Sequence, residues 1–136
     1  MDFNELYNKA KSVINPQKLS DMVEVGAVGA ALLTDKGNVY LGVCIDTACS
    51  MGFCAEHSAA AAMITAGEHI IKKIIAVNHD GIILPPCGRC REFLSQLANE
   101  NMNTQIMVRE DVVVSLKDLL PHDWRCALKK SKCRIE

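Results

Sequence analysis

Two short runs hold the residues best suited to chemistry, Cys54-Ala55-Glu56 and Pro86-Cys87-Gly88-Arg89-Cys90. Each opens a segment predicted to be helical. A helix N-terminus carries partial positive charge and unsatisfied N–H donors, which lower a thiol pKa and hold sulfur as the metal-binding thiolate. Cys87 and Cys90 are three residues apart, so they share one helix face and can grip one ion. Cys54 adds a third sulfur. A structural Zn2+ site usually closes with four protein ligands, whereas three leave a tetrahedral position for water, the arrangement of a catalytic site. Glu56 lies two residues after Cys54 in the first helical turn, near such a metal without being a ligand. A carboxylate there can take a proton from the water and pass it on.

The elements that must position these groups can be read from periodicity and punctuation. Phe3, Leu6, Tyr7, Ala10, Val13 and Ile14 recur at helical spacing, predicting an amphipathic helix from residue 2 to about 14, stopped near Asn15-Pro16. Val23 to Thr34 and Val39 to Ile45 read as antiparallel strands joined by the turn Asp35-Lys36-Gly37-Asn38. Residues 46 to 53 are irregular, and the Ala-rich run 54 to 66 is a helix with Gly67 just past its end. Ile74 to Asn78 is a buried-type strand, and His79 to Leu84 a loop. Pro85-Pro86 then lead into a third helix, CGRCREFLSQLA. Thr104 to Arg109 and Val112 to Val114 read as strands, with Ser115 to Leu120 a brief helix ended by Pro121. The order predicts one α/β domain over residues 1–136, a three-layer α/β/α sandwich around a mixed sheet of about five strands. Residues 125–136 form a basic tail without an assigned element.

Composition narrows the function further. Of 136 residues, 49% are apolar and 23% charged, a globular balance. Fifteen basic against sixteen acidic residues give a net charge of −1, which disfavours nucleic acid and anionic membrane and suits a small neutral partner. Apolar runs reach about a dozen residues, short of the ~20 a membrane helix needs. The N-terminus MDFNELYNKAK is acidic at its start and amphipathic, where a secretion signal is basic and then apolar, so a cytoplasmic location is expected. In that reducing compartment the seven cysteines are expected as metal ligands, reactive groups or buried packing rather than disulfides. Cys49, Cys126 and Cys133 carry no assigned chemistry. Only 4% of residues are aromatic, so few rings are available to stack on a heterocycle.

The two cysteine runs resemble the signature of zinc nucleobase deaminases, with Cys54 in the place of a His ligand. The chain as a whole resembles the zinc-dependent cytidine deaminase family in its small homotetrameric form, and the related blasticidin S deaminases. VGAALLTDKGNVYLGV (28 to 43) is similar to that family's first hairpin, Ala48-Cys49 to its approach to the zinc helix, and Leu119-Leu120-Pro121 to its C-terminal turn. The resemblance implies one Zn2+ per chain held by Cys54, Cys87 and Cys90, Glu56 as proton shuttle, and Ala55 among the substrate contacts. It also implies a homotetramer that releases ammonia hydrolytically from a free cytosine nucleoside or an analogue, leaving a uracil-type product.

Three thiolates on Zn2+ leave a net −1, so compensating groups are expected nearby, and His57, Arg89 and Arg91 are the candidates. His57 stands where relatives commonly carry Arg; it either tunes the site or caps and packs the helix. The ribose-holding Asn and Glu of the nucleoside enzymes are Cys44 and Asp46 here, a poor donor and a shorter carboxylate. The Phe-Pro that precedes the first strand in relatives is Gly26-Ala27. Trp124 stands where relatives place an aromatic that covers the pocket; it serves as that lid or packs on the core. Blasticidin S or another aminated heterocycle is the alternative substrate. A noncatalytic zinc module closed by His57 is the alternative class, opposed by Glu56, and a polynucleotide-editing enzyme is disfavoured by the charge.

Overall fold

In the computed structural model, which describes residues 1–128, a six-stranded mixed sheet lies between one helix on its back and two on its front. The chain begins with α1 (Phe3–Ser12), capped by a reciprocal pair in which the Asp2 side chain accepts from Glu5 N–H at 2.9 Å and the Glu5 carboxylate accepts from Asp2 N–H at 3.1 Å. The helix stops short of the predicted residue 14 because the chain turns toward the sheet, where Asn15 N–H donates to Gly26 O at 3.0 Å. Gly26 has φ +85°, and a Cβ there would strike the carbonyl of Asn15, so only glycine allows this approach.

The strands are β1 (Gln17–Lys18), β2 (Val23–Thr34), β3 (Val39–Thr47), β4 (Ile71–Asn78), β5 (Gln105–Arg109) and β6 (Val112–Ser115). Five strands were expected. The sixth, β1, has two residues and so cannot show alternation; it exists because Gln17 and Lys18 pair with Val25 and Glu24. β2 is the organising strand, with β3 along one edge and β1 followed by β4 along the other. The β4–β5 pair is parallel and the other pairs are antiparallel. β3 and β4 are both antiparallel to β2, so they run in the same direction and finish at the same end of the sheet.

After β3 come a 3-10 turn (Ala48–Ser50) and α2 (Ala55–Thr65); after β4 come a loop and α3 (Gly88–Leu97). Alternation along β2 and β4 divides the core. Ala30, Leu32, Ile74 and Ala76 face α2 and α3, meeting Ala59, Ala60, Met63 and Leu94. Ala31, Leu33, Ile75 and Val77 face the other way and are covered by Leu6 and Ala10 of α1. With both faces covered, these strands read as nearly continuous apolar runs.

α2 sits unusually close to β3. A Cβ on Gly42 would collide with the backbone of Ala59 and come within 2.7 Å of Ala55 O, so the missing side chain sets the helix height. At its far end, Glu68 Oε2 accepts from Tyr40 Oη at 2.6 Å and Asn38 Nδ2 at 2.9 Å, tying the helix end to the β2–β3 hairpin. The segment after β6 is a 3-10 turn (Leu116–Leu119), and a short helix, α4 (Arg125–Leu128), opens the basic tail. Lys129, Lys130, Lys132, Cys133 and Arg134 lie outside the described residues.

Candidate active site

Both cysteine runs leave the same end of the sheet, one after β3 and one after β4, which brings the N-termini of α2 and α3 together. Cys54 is the N-cap of α2 (φ −72°, ψ 162°) and Cys87 the N-cap of α3 (φ −68°, ψ 166°), with Cys90 in the first turn of α3. The three Sγ atoms all lie within 4.8 Å of one another, and Cys54 Sγ and Cys87 Sγ are 3.4 Å apart. A tetrahedral Zn2+ with bonds of ~2.3 Å sets its sulfurs about 3.8 Å apart, so this donor set fits one zinc ion in type, number and spacing. Among the described residues no fourth histidine, cysteine or carboxylate atom joins the group.

Electrostatics divides the three thiols. Burial, followed by the hydrogen bond to Cys87, pushes Cys54 up to about 11. Burial also raises Cys90, helped by the charges of Glu56 and the other two sulfurs. For Cys87 burial works upward too, but hydrogen bonds from the Cys90 backbone N–H and the neighbouring thiols outweigh it, and its pKa falls below the ordinary thiol value. Three crowded sulfurs thus resist carrying three negative charges by themselves; a divalent cation relieves that repulsion and holds all three as thiolates.

Glu56 is 6% exposed, and burial raises its pKa above the usual carboxylate range against a backbone hydrogen bond that lowers it. A carboxyl so placed beside the thiols is positioned to accept a proton and pass it on. It lines a cleft of about 630 Å³ together with Cys54, Ala55 and Cys87. One wall is built from Ala27, Val28, Cys44 and Asp46. Cys44 is 8% exposed, and its sulfur accepts from Val28 N–H at 3.3 Å, so the thiol is already engaged as an acceptor. Asp46 is exposed toward the opening. Arg89 also lines the cleft and donates to Gly52 O at 3.0 Å.

The remaining candidates sit differently. His57 points away from the cleft into the α2–α3 junction, where its ring stacks on Phe93 (4.1 Å, 7°) and packs obliquely on Phe53 (5.0 Å, 42°). Its Nδ1 is buried without a hydrogen-bond partner, and burial, then the charge of Arg89, lowers its pKa. The imidazole is therefore packed between the two helices and does not line the cleft. Arg91 lies behind the ligand loop, with Nε donating to Pro86 O at 2.8 Å, and steadies the residue before Cys87. Trp124 does not line the cleft. His122 (φ +55°) turns the chain back along α3, where the indole Nε1 donates to Glu92 Oε1 at 3.0 Å and the ring stays 54% exposed. Sequence reading missed Phe53, Thr47 and Ser50, all of which line the cleft. The available signal for Phe53 was an apolar ring immediately before a helix N-cap.

Comparison with known proteins follows this geometry. Residues 5–106 match the model of the cytidine and deoxycytidylate deaminase zinc-binding region. A cytidine deaminase of Mycobacterium tuberculosis is 33% identical over 96 residues, covering 70% of each chain. A cytidine deaminase of Sporosarcina psychrophila is 36% identical over 76 residues, 55% of this chain and 56% of that one. The solved cytidine deaminase from Mycobacterium tuberculosis superposes with a TM-score of 0.76 at 28% identity, covering 91% of this chain and 98% of that one. The cytidine deaminase from Mycobacterium leprae gives a TM-score of 0.75 at 26% identity, covering 90% and 99%.

Proposed function

The chain belongs to the family of zinc-binding cytidine and deoxycytidylate deaminases, and from that membership we propose that it hydrolyses the exocyclic amino group of cytidine to give uridine and ammonia. The observation that carries this reading is the grouping of three thiols, two of which, Cys54 and Cys87, line one cleft together with the buried Glu56. Cys54, Cys87 and Cys90 would hold the zinc, which when bound would supply Lewis-acid activation of a water molecule. Glu56 takes the proton from that water and delivers it to ring N3 as the C4–O bond forms. A second proton passes through the same carboxyl to the amino group, the C4–N bond breaks, and ammonia leaves. Water and cytidine are consumed, and uridine and ammonia are formed. Ala55, between ligand and shuttle, presents backbone to the base, and Asp46 accepts from the sugar hydroxyls. Arg89, at the cleft margin, is the remaining cation of the site.

The departures at Cys44, Asp46 and Gly26-Ala27 put blasticidin S and other aminated heterocycles on the substrate panel, yet the named relatives are cytidine deaminases and favour the simple nucleoside. The noncatalytic reading needs a fourth ligand, for which His57 is a candidate, and the imidazole is stacked on Phe93 while no other such atom joins the group among the described residues. A homotetramer is part of the proposal, supported by the apolar outer face of α2, where Ala61, Ala62 and Ile64 are exposed. Among the described residues no helix is long and apolar enough to cross a membrane. We place the protein in the cytoplasm, where the ligand thiols stay reduced. The deciding experiment is ammonia release from cytidine, deoxycytidine, blasticidin S and free cytosine, with zinc analysis on the same sample. Turnover of cytidine with about one zinc per chain is the expected result; a metal-free protein, or no turnover of any cytosine nucleoside, overturns the reading.

A further inference from the structure

We propose that Phe53 is the ring on which the pyrimidine of the substrate stacks, an assignment that rests on the deaminase reading above. The chain has six aromatic side chains, and five are committed elsewhere. Phe3 and Tyr7 pack with α1 on the back of the sheet, the Tyr7 hydroxyl donating to Gly81 O at 2.7 Å. Tyr40 donates to Glu68, Trp124 to Glu92, and Phe93 packs against the front core and stacks on His57. Phe53 is the one ring among the residues that line the cleft.

Its surroundings suit a platform. The main chain is clamped in an isolated antiparallel bridge, with Phe53 N–H donating to Ile45 O at 2.9 Å and Ile45 N–H to Phe53 O at 3.0 Å. Behind the ring stands His57, itself held flat against Phe93. Phe53, His57 and Phe93 therefore form a run of three rings, the first pair tilted by 42° and the second stacked, and Phe53 is the member that lines the cleft, one residue before Cys54. The other apolar lining, from Ala27, Val28, Ala76, Leu84 and Pro85, offers aliphatic surface but no π face. A cytosine ring needs such a face to hold its plane while the carboxyl of Glu56 works at its edge.

Stacking acts alike on ground and transition states, so its loss raises KM and spares kcat. Steady-state ammonia release from cytidine is measured for the zinc-loaded wild type and for Phe53→Ala, Phe53→Leu and Phe53→Tyr, with zinc content and melting temperature recorded for each. The expected KM rise is roughly tenfold to a hundredfold for Phe53→Ala. Phe53→Leu should show a smaller rise and Phe53→Tyr a KM near wild type, with kcat and zinc content held throughout. An unchanged KM in Phe53→Leu overturns the stacking assignment alone and leaves the deaminase reading intact. So does a KM rise in Phe53→Leu that comes with loss of zinc or a collapsed melting temperature, which assigns the ring to the fold. Absence of turnover by the wild type with every cytosine nucleoside overturns the deaminase reading and the stacking assignment with it.

Discussion

In the proposed mechanism Glu56 is the side chain on which proton traffic depends, and its burial beside three sulfurs makes the substitution test clean. Glu56→Gln keeps the shape and the hydrogen-bonding oxygen while removing the titratable group. We expect ammonia release to fall by about 100-fold to 10,000-fold, with zinc content and melting temperature unchanged. Turnover within tenfold of wild type would remove Glu56 from the role of shuttle. The thiols and this carboxyl were legible in the sequence because residue type, spacing and helix-start position constrain one another. Phe53 was not, and for His57 the sequence left tuning and packing both open, because an apolar ring and an imidazole beside a helix start have many uses. Only the position of Phe93 on the neighbouring helix turns them into a stack.

At the scale of elements, α2 carries Cys54 and Glu56 at one end and is fixed to the hairpin by Glu68 at the other. Gly42 determines how deeply the helix sits. Gly42→Ala places a methyl group against backbone that no rotamer can relieve, so we expect a loss of about 1–3 kcal/mol. A lower melting temperature and weaker zinc retention under chelator challenge would register it; a wild-type melting curve would show that the helix height is set elsewhere. The far anchor behaves differently. The Tyr40 hydroxyl, then Thr34, hold Glu68 below the usual carboxylate range against the opposing effect of burial. A depressed folded-state pKa contributes stability above the unfolded value of about 4.3 and loses it as pH falls through the folded value. Tyr40→Phe should therefore lower the melting temperature at neutral pH, and the gap from wild type should narrow below about pH 4. Equal gaps at pH 7 and pH 3 would show that packing, rather than the carboxylate, accounts for the effect. Nearly continuous apolar, β-branched runs made β2 and most of β4 readable, whereas β1 escaped notice because its two residues are defined by their pairing with β2.

For the molecule as a whole, α2 is apolar on both faces beyond its first turn, buried on the sheet side at Ala59, Ala60 and Met63 and uncovered at Ala61, Ala62 and Ile64. A helix of that character needs cover on both faces. Ile64→Glu is expected to shift the protein to a smaller species in size-exclusion chromatography with light scattering; an unchanged mass would move the interface to another surface. Sequence composition could show that the core was short of rings, but not which helix face lay outside it.

The parallel course of β3 and β4 gathers the chemistry at one end of the sheet, and the opposite end is thereby released from it. The turn Asp35 to Asn38 at that far end is exposed throughout, and a Cβ at Gly37 (φ +85°) would meet nothing within 4 Å. A fluorophore, an affinity handle or a surface tether inserted between Lys36 and Gly37 would thus stand the length of a strand away from the cleft. The molecule can be immobilised by its hairpin with its mouth facing solution.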